Sequence, residues 1–318
     1  MYPINGGPVV LSGTAHEGLS QKICNYLGID IGNADVFKFS NDNTFVKILE
    51  NVRARDVFIV QPTAEPVNDH IMEMLIMIDA AHRASAGRIT AVVPYYSYAR
   101  TDKKDQPRVP ITGRLIADLL ETAGADRFLT VDLHAGQVQG FFKVPVDELT
   151  AMPMLSKFFK EKELEAPVVV SPDIGSVKRA RDFAHFMEAP LAIVEKRRTG
   201  NNDSVETHNV IGEVDGRNAI LIDDEIATGG TMAAAAQGLR ENGARDVFVA
   251  AAHGVFPGEA ATNLAEMPEI SEIVITDTVP LPKHKHHEKI RVLSIAPLIG
   301  EAITRIHHGR SVGALFPD

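Results

Sequence analysis

The segment 219–231, AILIDDEIATGGT, sets two carboxylates, Asp223 and Asp224, ahead of a Thr228-Gly229-Gly230-Thr231 turn. Paired acids repel phosphate, but they accept hydrogen bonds from vicinal sugar hydroxyls or hold a metal. A turn of this kind at a helix start presents backbone N–H groups, a cradle for phosphate. The combination suits a sugar phosphate; the plain alternative is a strand–turn–helix with an acidic cap. A second segment, 94–108 (PYYSYARTDKKDQPR), carries Arg100, Lys103, Lys104 and Arg108 against Asp102 and Asp105. In a chain of net charge -10, that local cationic excess points to a polyphosphate. Tyr95, Tyr96 and Tyr98 are candidates to stack on a base. A solvated charged loop is the competing reading.

In a third segment, 132–142 (DLHAGQVQGFF), His134 follows an apolar run, a place for either a ligand or a structural histidine. Asp173 closes VVVSPD just before Ile174-Gly175. One carboxylate and one imidazole, completed by water and substrate oxygens, suit Mg2+. Fourth, Lys196, Arg197 and Arg198 open a polar stretch running to about residue 209. It reads as a mobile loop whose cations close over a transferring phosphoryl group, or as ordinary surface. The run 283–289 (KHKHHEK) lacks ligand spacing and reads as an exposed loop, and His307–His308 takes no assignment. Walker A, GxGxxG and HExxH patterns are absent.

These segments need elements to hold them. Candidate strands fall at 57–61, 89–94, 128–132, 168–172, 191–194, 219–223, 246–251, 272–276 and 290–294. Most are apolar on both faces, the pattern of a parallel sheet covered by helices. Between them, 70–85 places Ile71, Met74, Leu75 and Ile78 on one helical stripe, with Asn68 or Asp69 as its cap. Helices are also predicted over 113–123, capped by Thr112 and stopped by Gly124, and over 231–242, stopped by Gly243. Alternation of this kind argues for an α/β fold with right-handed crossovers, in which ligands bind beyond the carboxyl ends of the strands. Gly124-Ala125 precedes a strand and His134, as Gly243-Ala244 precedes a strand and His253. That parallel suggests an internal duplication whose halves meet near 145–167, among Pro145, Pro153 and Pro167.

The chain has 318 residues, enough for about two domains. Hydrophobic residues at 45% and charged residues at 23% exclude disordered and fibrous classes. The acidic balance argues against a nucleic-acid partner. No basic start followed by an apolar block reads as a signal peptide, and no apolar run reaches the roughly 20 residues of a membrane span. A single cysteine, Cys24, fits a reducing compartment such as the cytoplasm.

The four segments, in this order, resemble the ribose-phosphate diphosphokinases over nearly the whole chain, from about residue 8 to the ALF near the C-terminus. DLHAGQVQGFF, SPD and DDEIATGGT carry the specificity, with PYYSYARTDKK and EKRR beside them. The resemblance implies two phosphoribosyltransferase-like α/β domains, each a mostly parallel sheet flanked by helices. They are expected at 1–147 (the ATP side) and 148–303 (the ribose 5-phosphate side), with 304–318 packing back on the first. It implies transfer of the diphosphoryl group of ATP to the 1-hydroxyl of ribose 5-phosphate, with Mg2+ as cofactor. It places Phe39, Asn41, Asn43, Arg100, Asp102 and Lys103 around ATP, and His134 and Asp173 on the metal. Asp223, Asp224 and Ala227 to Thr231, including Thr228, Gly229 and Gly230, take ribose 5-phosphate. Lys196, Arg198 and His134 are the implied catalytic residues. A cytoplasmic homohexamer built from dimers, with ATP bound partly by a neighbouring subunit, is the implied assembly. Asn41, Asn43, Thr101 and Ala227 depart from the commonest family pattern. A phosphoribosyltransferase sharing the 223–231 loop and a non-catalytic regulatory subunit are the competing readings.

Overall fold

Short β-branched runs with two apolar faces pack best between helix layers. The runs read as strands all lie in two sheets of the computed structural model, which describes residues 4–198 and 206–315. The first part of the chain runs β1 (Val9–Ser12), α1 (Glu17–Leu27), the hairpin β2 (Ala34–Lys38) and β3 (Thr44–Ile48), β4 (Asp56–Val60) and α2 (Val67–Arg83). It continues through β5 (Arg88–Val93), α3 (Thr112–Ala123), β6 (Arg127–Val131), β7 (Val146–Leu149) and α4 (Met152–Glu161). The second part runs β8 (Pro167–Ser171), α5 (Val177–Met187), the hairpin β9 (Leu191–Arg198) and β10 (Glu206–Ile211), β11 (Asn218–Ile226) and α6 (Gly230–Glu241). It ends with β12 (Asp246–Gly254), α7 (Ala260–Ala265), β13 (Glu272–Thr276), β14 (Ile290–Leu293) and α8 (Ala296–His307).

The two parts follow one plan. The first sheet has the order β1-β4-β5-β6-β7, all parallel. The second repeats it as β8-β11-β12-β13-β14 and extends it past β8 with β9 and the antiparallel edge β10. The duplication is therefore real, but the Gly-Ala register suggested for it pairs the wrong strands. His134 follows β6, whose counterpart is β13, whereas His253 lies on β12, the counterpart of β5. Gly-Ala recurs because glycine in the left-handed region stops α3 and follows α6 alike, with φ 117° at Gly124 and 85° at Gly243.

The chain divides into two compact units, one of Met1–Thr150, Thr278–Pro280 and Ser294–Asp318, the other of Ala151–Asp277 and Leu281–Leu293. Each part thus gives its last helix to the other unit. In the first unit, α8 packs on α1: Gly300 lies so close under Tyr26 that a Cβ there would come within 2.4 Å of the ring. Arg88 pairs with the fully buried Asp56 through two bonds of 2.8 and 2.6 Å and donates to the Ile306 carbonyl at 2.9 Å, while His307 Nδ1 lies 2.9 Å from Asp56. Its core gathers Val57, Ile59, Met74, Ile78, Ile89 and Phe128. In the second unit, α4 packs on α5, and Val170, Leu221, Leu239, Val249 and Ile273 are among the core.

Two helix starts differ from expectation. Pro66, not Asn68 or Asp69, stands at the start of α2, and Asp69 instead takes an ion pair from Lys38 at 2.8 Å. Thr112 is already the first residue of α3, behind Ile111, and makes no side-chain cap.

Candidate active site

In the first unit, β5 ends at Val93 and the chain enters a 3-10 turn at Ser97–Arg100. Tyr95 and Tyr96 do not offer their faces to a base, as both are buried. Tyr96 packs edge-on to Phe128 at 5.5 Å and donates its hydroxyl to the Gly113 carbonyl at 2.7 Å. Tyr98 donates to Asn68 Oδ1 at 3.0 Å. These aromatic anchors leave Arg100 and Lys103 exposed beyond the sheet edge, and Asp102 half-buried. Asp102 accepts a hydrogen bond from Gln137, which joins the 94–108 segment to the turn that carries His134. His134 is exposed just past β6. Its turn is pinned from below: Asp132, at φ 39°, accepts from Thr150 Oγ1 at 2.9 Å, and the Leu133 N–H donates to Glu148 at 2.9 Å.

Phe39, Asn41 and Asn43 sit at the tip of the β2–β3 hairpin. Phe39 is half exposed and clusters with Phe37 and Phe45 at centroid distances of 5.0 to 5.4 Å. Asn41 Oδ1 accepts from the Asn43 N–H at 3.3 Å. Lys38 ties the tip to α2 through Asp69 and closes it through Asp42 at 2.9 Å.

In the second unit, β11 overshoots its neighbour. It pairs with β8 only as far as Leu221 but with β12 as far as Ile226. Asp223 and Asp224 therefore lie within the strand, where sequence reading ended it at 223, on a flank that β8 leaves open. Asp223 Oδ1 accepts from Ser176 Oγ and from the Asp224 N–H, each at 2.9 Å. Burial, and then the neighbouring Asp224 carboxylate, push the Asp223 pKa up to about 7. Asp224 is nearly fully buried, with Arg179 of α5 3.9 Å away. Asp173 is exposed, and its Oδ1 accepts from the Ser176 N–H at 2.9 Å.

After β11 the chain turns through half-buried Ala227 and exposed Thr228 to Gly229, which starts α6 with φ 79°. That backbone favours glycine. No side chain caps α6, and a Cβ at Gly230 would meet only Thr228 Oγ1, at 3.9 Å. The first turn of α6 thus has both the amides and the space that a phosphate needs. Thr231 is exposed beside it.

Lys196 and Arg198 belong to β9, with His208 and Glu206 of β10 as their backbone partners. The stretch read as a loop from 195 to 209 is largely the two arms of a hairpin, and 199–205 lie outside the described residues. An antiparallel edge ribbon needs no apolar outer face, so its sequence looks like a loop. Sequence reasoning also missed Ser176 and Arg179; their signal was the short SPDIGSVKR link between a buried strand and a helix.

Residues 8–124 match the N-terminal domain of ribose phosphate pyrophosphokinase, and residues 206–317 match the phosphoribosyl synthetase-associated domain. The chain is 51% identical over 308 residues to a ribose-phosphate pyrophosphokinase of Caldanaerobacter subterraneus subsp. tengcongensis, covering 96% of this chain and 97% of that protein. It is 48% identical over 311 residues to one of Clostridium acetobutylicum, covering 97% of each. The crystal structure of phosphoribosylpyrophosphate synthetase from Mycobacterium smegmatis superposes with a TM-score of 0.90 at 42% identity, covering 96% of this chain and 100% of that one. With a twinned parallel-sheet fold, an acid pair beside an open helix start and similarity along almost its full length, the chain belongs to the ribose-phosphate pyrophosphokinase family.

Proposed function

We propose that the chain transfers the diphosphoryl group of ATP to the 1-hydroxyl of ribose 5-phosphate, releasing AMP and 5-phosphoribosyl 1-diphosphate. The observation that carries this reading is the junction of β11 and α6, where two carboxylates precede an uncapped, glycine-lined helix start. Asp223 and Asp224 accept hydrogen bonds from the ribose hydroxyls, and the amides of 227–231 take the 5-phosphate. Arg100, Asp102 and Lys103, with Phe39, Asn41 and Asn43, contact ATP, the aromatic face serving the base and the cations the phosphates.

Both substrates are anionic, so the barrier lies in bringing negative charges into line. Catalysis is then positioning and charge neutralisation, with Lys196 and Arg198 on the transferring group. Mg2+, when bound, screens the phosphate oxygens and orients the triphosphate. His134 and Asp173 would hold it. Among the described residues no three His, Cys, Asp or Glu side chains gather as a metal cluster. An exposed imidazole and an exposed carboxylate suit an ion that takes one or two protein ligands and leaves the rest to phosphates and water. The single buried cysteine suits a cytoplasmic enzyme, and a homohexamer built from dimers is the assembly we assign.

The test is incubation of the pure protein with ATP, Mg2+ and ribose 5-phosphate. AMP and phosphoribosyl diphosphate are expected in equal amounts. Consumption of phosphoribosyl diphosphate with a base, and no AMP formed from ATP, would replace this reading with a phosphoribosyltransferase.

A further inference from the structure

Ser176 occupies the N-cap of α5, where a serine hydroxyl ordinarily accepts a hydrogen bond from an amide of the first turn. It makes no such bond. Its hydroxyl donates to Asp223 Oδ1 and its N–H to Asp173 Oδ1, each at 2.9 Å. One residue therefore keys two carboxylates, Asp223 within β11 and Asp173 in the turn after β8. The diversion is not a requirement of this strand–helix turn. At the matching place in the first unit, the N-cap of α1, His16 Nδ1 does accept from the Leu19 N–H at 3.3 Å. Further along α5, Arg179 reaches toward Asp224. The start of this helix thus addresses both acids of the pair.

We propose that Ser176 is a positioning residue of the sugar site, holding the Asp223 carboxylate in the orientation that receives the ribose hydroxyls and linking that orientation to the Asp173 loop. The proposal rests on the ribose 5-phosphate reading of Asp223. A hydroxyl on a carboxylate is a charge-assisted bond, and losing one is felt wherever the carboxylate must keep a fixed direction.

Steady-state kinetics on four variants test it: Ser176→Ala, Ser176→Thr, Asp223→Ala and the double variant Ser176→Ala/Asp223→Ala. Ser176→Ala is expected to raise the KM for ribose 5-phosphate about tenfold, the scale of one charge-assisted hydrogen bond. The KM for ATP and the melting temperature stay unchanged, since the hydroxyl caps nothing. Ser176→Thr restores the wild-type KM. In the Asp223→Ala background, Ser176→Ala adds nothing. An unchanged KM in Ser176→Ala while Asp223→Ala raises it overturns the positioning role alone. So does an effect of equal size in both backgrounds, or a lowered melting temperature with no selective change in KM. An Asp223→Ala enzyme with an unchanged KM for ribose 5-phosphate overturns the sugar-site reading, and this proposal with it.

Discussion

The two parts of the chain reach the same point in their shared plan and treat it in opposite ways. Aligning Ser12 at the end of β1 with Ser171 at the end of β8 sets Gln61, just past β4, against Asp223 of β11. In the second unit that place is an open flank. In the first it is filled. Gln61 is fully buried, accepts from the Ala15 N–H at 3.0 Å and donates to Glu73 of α2. Glu73 also takes the Thr14 N–H at 2.7 Å and its hydroxyl at 2.8 Å. Gly13 packs so tightly here that a Cβ would lie 2.3 Å from the Gln61 side chain. Counted from the start of each helix, Glu73 stands where α6 has Ala236. Duplication has kept the apolar strands, which both sheets need. The polar residues at strand ends decide separately whether an end stays open or becomes a hydrogen-bonded plug.

This contrast can be broken by experiment. The largest effect is expected in the second unit, where Lys196→Ala should lower turnover about 10²–10³-fold, the scale of one transition-state donor, with an unchanged melting temperature. Turnover near wild type would remove Lys196 from the reaction. Next, Asp223→Asn puts in the second unit the kind of neutral amide that Gln61 supplies in the first. Burial and the neighbouring Asp224 carboxylate push the Asp223 pKa up to about 7 in the folded protein, above the ordinary aspartate value of about 3.8. The folded state therefore binds more protons than the unfolded one between these values. Its contribution to the stability of the ligand-free protein is complete below about pH 4 and is lost as pH rises toward about 7. Urea titrations across this window should show a decline that Asp223→Asn flattens; an identical slope in both proteins would refute the assigned cause. The smallest effect belongs to the plug. Glu73→Ala strands a buried amide and should cost about 1–3 kcal/mol of stability while leaving the KM for ribose 5-phosphate as it was. A raised KM without loss of stability would make the first unit's strand end a second sugar site.

Much of this organisation was legible in the sequence, for a physical reason. Strands buried on both faces must be apolar throughout, and β4, β5, β6, β8, β11, β12 and β13 are readable on that ground. Five escaped notice: β1, only four residues long, β7, equally short and mostly half-buried, β10, an edge strand of largely polar sequence, and β2 and β3 in a separate hairpin. At the candidate site, the acid pair and its glycine turn were readable because they are contiguous in sequence, and the structure keeps them together at the junction of β11 and α6. Tyr95 and Tyr96 misled because an aromatic residue beside cations suits a base and a core equally well, and only the packing of Phe128 and Gly113 decides between them. Gln61 could not be read at all, and Ser176 only as a member of the short SPDIGSVKR link. Their roles arise from contacts across 12 and 47 residues of chain, and the partner of neither can be named from its immediate neighbours.

The exchange of final helices bears on how the molecule is made. On the ribosome, all strands of the first sheet emerge early, yet the helix that covers α1 and meets the Asp56–Arg88 pair is α8, which among the described residues follows every strand and every other α-helix. Until synthesis nears its end the nascent N-terminal part carries a bare flank and an incompletely sheltered ion pair, so its maturation waits on translation of the rest. A chain interrupted after β14 would hold every residue of the second unit and still leave the first, begun earlier, without its closing helix.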